Sequence, residues 1–449
     1  MLVKARRLLF FLLSLFIFQN AFSQNTTRSP YSRYGLGEIN FNGFARSYGM
    51  GQINQGLRSR TNINILNPAS YGVIDSTVFE TGAIMRLGKF STADNSQDFN
   101  TANYGYLALG FPLMAKRGWG ASFGLLPYSA TGYINSNTAD SSFSSYTQTF
   151  QGLGGLSRVF LGTGLRLFQN RDTSLIHHRL SVGTNFSYLF GQIRKSKYQR
   201  FPDNSNFNSY IEERDQYLSN VSYEAGLQYS IGFGGRGKSE KKYGMVLGLT
   251  YQPEITLNSS GRFIAATYEY SNIGVPEIID SVILVENIKG TATLPEAMRA
   301  GIVFEKSGRW LIGADYSAQK WEGFKMPGST DSLRNSYQLS LGGQYTPKMN
   351  ELLGKARKDI TLGTYLRSTS YRFGVRYGNT NLRINGTDIR EMGASIGFGI
   401  PIAPTSRLNL SLDYTVRGTT ENNLIKEQFF RIILGLTLND KWFQRHKIE

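Results

Sequence analysis

The sequence predicts an all-β protein: a 14-stranded antiparallel transmembrane β-barrel with a small N-terminal plug inside its lumen. Three observations carry that expectation. Apolar and polar residues alternate with period two in segments of about ten residues, the length a tilted strand needs to cross a bilayer. The chain opens with a secretory leader, which directs the remainder out of the cytoplasm. Composition favours strands, with 49 Gly, 29 Phe and 26 Tyr among 449 residues, and no later stretch offers the 18 consecutive apolar residues of a membrane helix.

The elements follow in chain order. Residues 1–23 are the leader: Lys4, Arg6 and Arg7 are basic, Leu8 to Phe18 is apolar but too short to span, and Ala21 and Ser23 are the small residues before a cut. Residues 24–75 are dense in Gly, Asn and Ser, alternate poorly, and allow short helical turns over 45–57, so they form the plug. Residues 76–449 form the barrel. Its strands are expected near 77–88, 101–115, 118–132, 147–168, 178–200, 208–231, 243–260, 296–306, 309–321, 334–347, 369–379, 388–402, 405–418 and 427–440. In the thirteenth, Leu408, Leu410, Leu412, Tyr414 and Val416 interleave with Asn409, Ser411, Asp413, Thr415 and Arg417. An even strand number returns both ends to the periplasm. Tight turns at Lys116–Gly118, after Lys306 and over Ala403–Ser406 belong to that side. The longest connection, roughly 258–296, has strand-like stretches at 261–271 and 281–292 and reads as an extracellular hairpin extension. Trp119, Trp310 and Trp442 mark a periplasmic aromatic girdle and Trp321 the outer one.

Several function classes fall away. Zero Cys excludes disulfides, a lipoprotein anchor and thiolate metal sites. Three His leave little for a metal, and the adjacent His177 and His178 on a strand point to opposite faces. Gly232 to Ser239 matches the phosphate-binding pattern GxxxxGK[ST], yet a strand follows it where a helix is required, so it reads as a basic turn. No catalytic residue, metal or cofactor is assigned. The net charge of +17 does not signal nucleic acid. Basic residues such as Lys116, Arg117, Arg236 and Lys238 gather in the predicted periplasmic turns, and Asp94, Asp98, Asp140, Asp203, Glu212 and Glu213 in the outer connections. These are either solvated turn charges or a basic periplasmic face that suits an acidic partner or anionic lipid headgroups.

Three short motifs, together with the count of fourteen strands, carry a family resemblance. Ala45-Arg46-Ser47-Tyr48-Gly49-Met50-Gly51 is followed by Asn67-Pro68-Ala69 just before the first strand. Leu294-Pro295-Glu296 opens a strand after the longest loop, and Trp442-Phe443 closes the last strand as a barrel-assembly signal. With these the chain resembles the FadL-type (FadL/TodX-like) outer-membrane barrels. The resemblance implies passive uptake of small hydrophobic, fatty-acid-like compounds by lateral diffusion. The plug would move around Asn67, Pro68 and Ala69, and the compound would leave through a kink in the third strand, where Gly124 and Pro127 stand; Pro127 equally fits a bulge near the extracellular rim. The basic tail after Phe443 departs from the family pattern. Similar plugged barrels serve as non-transporting subunits of secretion or barrel-assembly machines, which is the second expectation. Implied partners are outer-membrane lipid and lipopolysaccharide, the barrel-assembly machinery during insertion, and either a hydrophobic small molecule or envelope proteins.

Overall fold

The computed structural model describes residues 27–41, 43–140, 145–170, 176–202, 207–233, 243–270, 276–329, 331–349, 361–403 and 405–440. Trp442, Phe443, the leader and most of the Gly232–Ser239 turn lie outside them. After a two-residue strand β1 (Glu38–Ile39) the long strands run in order: β2 (Thr77–Ser91), β3 (Ser96–Met114), β4 (Trp119–Asp140), β5 (Ser145–Gln169), β6 (Ile176–Arg200), β7 (Ser209–Phe233) and β8 (Tyr243–Gln252). There follow β9 (Ile255–Tyr270), β10 (Pro276–Leu294), β11 (Ala297–Lys306), β12 (Trp310–Gln319) and β13 (Ser336–Tyr345). The last four are β14 (Ser370–Ile384), β15 (Thr387–Pro401), β16 (Arg407–Arg417) and β17 (Lys426–Asp440).

Fourteen of these make a closed antiparallel wall, β2 to β8 and β11 to β17. β17 returns to β2 in an unbroken ladder from Lys426–Ser91 to Asp440–Thr77. Closure gives every wall strand a partner on both sides, so the wall has no terminal strand. The period-two pattern explains the two faces. On β16, Leu408 and Tyr414 are exposed outward, while Ser411, Asp413 and Thr415 are fully buried on the lumen side. The same outward belt carries Leu341, Phe373, Ile396 and Leu434, each about half exposed. Tyr188, Tyr223, Tyr251, Tyr316 and Tyr377 stand outward near its upper rim. An apolar exterior around a closed barrel needs hydrocarbon as its solvent, so the chain is an outer-membrane β-barrel.

Two expectations need correction. The predicted strand at 243–260 is two strands, because Pro253 cannot donate a ladder hydrogen bond and the chain breaks at Pro253-Glu254. β8 stays in the wall and pairs with β11, whereas β9 pairs with the upper half of β7 from Ser219 to Ser209. β9 and β10 thereby form a hairpin extension above the wall. Trp321 does sit at the outer end, but turned inward and 1% exposed, not facing lipid. Its indole N–H donates to Gln319 Oε1 at 2.8 Å and its ring packs on Phe324, so it serves an apolar cap. Trp119, by contrast, is exposed at the periplasmic end.

Glycine in the wall makes room for the segment ahead of β2. Gly120, Gly164, Gly183 and Gly226 are register partners across β4, β5, β6 and β7. A Cβ at Gly120 would stand 2.2 Å from the Tyr71 carbonyl oxygen, one at Gly164 2.3 Å from that of Pro68, and one at Gly183 2.4 Å from the Pro68 carbonyl carbon. Elsewhere in the wall Gly248 admits the backbone of Gln55, and Gly342 and Gly374 admit Met50 and Gly51. The stretch Met50–Gln55 and the 3-10 turn Pro68–Val73 thus lie close against wall backbone. Gly183→Val should therefore cost about 3 kcal/mol, the upper end of the overpacking range. Gly232→Ala, whose nearest new neighbour is 3.5 Å away, should cost almost nothing. Comparing the temperature at which each loses its folded gel migration checks both.

Candidate functional site

The leading segment is held in the lumen by polar contacts that its own turns present. Asn67 caps the turn Pro68–Val73: its Oδ1 accepts from Ala69 N at 3.2 Å, as an N-cap should. Its Nδ2 donates to the carbonyls of Gln55 at 3.0 Å and Leu227, on β7, at 3.2 Å. Tyr71 donates to Asn185 on β6 at 3.0 Å, and Asn185 donates to the Ile65 carbonyl at 2.8 Å. Across the lumen Asp315 on β12 accepts the backbone N–H groups of Asn54 and Gln55. Asn67, Pro68 and Ala69 are all buried, and three of the anchoring partners, Leu227, Asn185 and Asp315, are strand groups.

A second anchor is ionic. Glu38, on β1, accepts from Arg86 of β2 at 2.8 Å and from Arg417 of β16 at 2.9 Å. Arg417 continues to Glu391 at 2.7 Å and Glu427 at 3.4 Å. Asp413 joins Arg376 to Arg431, the latter at 2.9 Å. Three guanidiniums, those of Arg86, Arg417 and Arg431, lie within 5.5 Å of the centre of the Phe429 ring, itself 1% exposed. Burial alone would raise the Glu38 carboxyl, but Arg86 and Arg417 outweigh it and hold the group well below the usual carboxylate range. The alternation already placed Asp413 and Arg417 on a polar face. It could not show that eight charges from six strands meet, because that depends on barrel closure.

Gly124 and Pro127 stand at a seam. The β3–β4 ladder runs from Met114–Trp119 to Leu107–Leu125 and ends there. A Cβ on Gly124 would meet the Leu107 carbonyl oxygen at 2.2 Å, so glycine lets the last rung close. Above it Pro127 lacks an N–H and the strand bulges between Pro127 and Ser129. The edge of β4 that leaves β3 is taken by the leading segment. Glu38 and Ile39 pair with Ala130 and Ser129, Asn40 N donates to the Tyr128 carbonyl at 2.9 Å, and Gly132 N donates to Ser32 Oγ at 3.0 Å. Beside this seam a cleft of about 700 Å³ is lined by Arg28, Phe90, Asp98, Phe99, Tyr133 and Ile134, among others.

The outer end of the lumen is capped. Trp321, Phe324, Met326 and Leu333, from the connection after β12, pack with Tyr31 and Leu36 of the leading segment. Gly35 N donates to Asp331 Oδ2 at 2.8 Å across this cap. Beneath it lies a cavity of about 250 Å³ whose lining includes Arg86, Arg158, Arg299, Asp315, Arg376 and Glu391. Leu294, Pro295 and Glu296 link the extension to β11: Leu294 is fully buried in the cap cluster, and Glu296 bonds Lys320 at 2.9 Å. His178 Nδ1 is 2.8 Å from the Tyr229 hydroxyl, near the periplasmic end.

The comparisons match this architecture. A family model described as BamG matches residues 4–449. The solved toluene transporter TbuX of Ralstonia pickettii is 14% identical, covers 89% of this chain and 99% of its own, and superposes with a TM-score of 0.51. A Pseudomonas aeruginosa FadL homologue is 12% identical, with 88% and 97% covered and a TM-score of 0.50. At these identities the likeness is one of fold. No curated protein matches the chain.

The Glu38 anchor makes a paired expectation. Glu38→Gln leaves Arg86 and Arg417 short of a buried countercharge and should destabilise the seated segment by about 3–5 kcal/mol. In the native chain the folded Glu38 carboxyl lies below its ordinary 4.5. Its stabilisation is therefore complete above about pH 4.5 and is lost as the pH falls through the folded value. Limited proteolysis of residues 27–41 across pH 3–7 should show protection fading at the acid end in the native chain and already weak in Glu38→Gln.

Proposed function

We propose, from the premise that the chain belongs to the BamG family, that it is a non-transporting outer-membrane barrel acting through protein–protein contacts in a barrel-assembly machine. The single observation that carries this reading is the lumen. A hydrophobic compound entering it would meet the apolar cap first and then a cavity where guanidiniums and carboxylates stand among apolar groups such as Ile39, Phe41 and Leu66. Moving an acyl chain past them brings it against buried charges, and opening the path means separating buried ion pairs. In this reading residues 24–75 are a permanent plug, and Asn67, Pro68 and Ala69 pin it to the glycine-lined wall. Leu294, Pro295 and Glu296 brace the extension against the wall. Trp442 and Phe443 would serve the chain's own insertion.

A second reading is favoured by one feature, the seam above Gly124 and Pro127 with its adjoining cleft. Passive uptake of fatty-acid-like compounds would use that seam as a lateral exit. It requires residues 27–40 to leave the edge of β4.

Extraction of the full chain from its native membrane in a mild detergent, followed by native mass spectrometry, separates the two. The assembly reading expects stoichiometric protein partners and no acyl-sized adduct. An acyl-sized ligand on a lone chain would overturn it. The uptake reading expects Pro127→Ala to slow entry of a labelled fatty acid into whole cells, and unchanged entry sinks it.

A further inference from the structure

The β9–β10 hairpin carries an apolar surface that lipid does not explain. Leu284 on β10 pairs with Ile264 on β9, and Ile264 pairs with Glu213 on β7. Glu213 lies ten residues up β7 from Tyr223, a residue of the outward aromatic rim. At about 3.3 Å per residue and a tilt of about 45°, Leu284 stands roughly 20–25 Å above that rim. Yet Ile278, Ile279, Val282, Ile283, Leu284 and Val285 are 46–64% exposed. Every residue from 277 to 287 is exposed, so both faces of β10 are open. The register partners of Pro276–Val285 all lie on β9, and among the described residues the other edge of β10 carries no ladder. A long apolar edge strand open on two faces marks an interaction site in a folded protein.

Charge around the patch identifies its occupant. Glu269, Glu277, Asp280 and Glu286 are exposed on the same hairpin. Its two basic residues are Arg262 and Lys289, and Arg262 is bonded to Asp215 at 2.9 Å and Glu213 at 3.3 Å. An acidic rim on a chain of net charge +17 is a local reversal. A second copy would bring the same carboxylates edge to edge.

From this geometry we infer that β10 is the docking strand for a different cell-surface protein, which contributes a short extended segment with apolar side chains flanked by Lys or Arg. The segment adds backbone hydrogen bonds along the open edge, and its basic flanks meet the acidic rim. The inference rests on the barrel being an interaction subunit and names where and with what chemistry it interacts.

The test places a photo-crosslinking amino acid at Val282 or Leu284 of the full chain in living cells and sequences the crosslinked peptide. The expected product is one protein species whose crosslinked peptide is apolar with basic flanks. Reversing the rim with Glu277→Lys, Asp280→Lys and Glu286→Lys together should lower the yield at least tenfold while folded gel migration is kept. Crosslinks only to lipopolysaccharide, to a second copy or to an acidic peptide overturn the inference, as does a yield that charge reversal leaves unchanged. If native mass spectrometry still finds stoichiometric partners while these crosslinks are absent, the docking inference fails alone. If no partner is found at all, the assembly reading fails with it.

Discussion

The structure depends on close approach between the leading segment and a wall stripped of side chains. Backbone of Gln55, Pro68 and Tyr71 lies where Cβ atoms of Gly248, Gly164 and Gly120 would stand. At such distances nothing larger than hydrogen fits, so the glycines set the inner diameter available to the segment. In return the segment presents Asn67, Tyr71 and the N–H groups of Asn54 and Gln55 to polar groups of β6, β7 and β12. The lumen is thereby filled by peptide backbone, whose hydrogen bonds find partners in a place where water is scarce. This accounts for much of the high glycine content without invoking flexible turns.

The charged network then decides what the filled barrel can do. Glu38 ties the leading segment to β2 and β16, and Asp413 ties β14 to β17. Buried ion pairs add little net stability but resist being opened, because each separated partner is left uncompensated. A lumen built this way is a rigid core for a barrel that presents its β7, β9 and β10 extension outward. The seam above Pro127 shows the other possibility of the same fold, yet here its edge is satisfied by β1. The fold shared with TbuX and the FadL homologue does not by itself choose between the two, since function lives in the site.

Much of the wall was legible because membrane strands obey one rule. Leu408 to Arg417 alternates cleanly, and the tight turn at Lys116–Gly118 ends as expected, with Gly118 at φ 66°. Misreadings arose where one residue type serves two purposes. Trp321 has the amphipathic ring of a girdle residue, but its neighbours Phe324, Met326 and Leu333 fold back over the lumen and take it with them. The run from Tyr243 to Ser260 alternates throughout, and only the missing N–H of Pro253 divides it between the wall and the extension.

By itself the sequence determined strand period, strand number, the order of tight and long connections, and the presence of a non-alternating segment ahead of the barrel. Those are local properties, written in the spacing of apolar residues and in turn chemistry. Only the tertiary structure decided that the charges of β2, β14, β15, β16 and β17 converge on Glu38, that the segment takes the free edge of β4, and that the apolar face of β10 stands clear of the membrane. Each is a juxtaposition of residues far apart in the chain. It arises from closure, which brings β17 against β2, and from register, which sets how high each side chain rides.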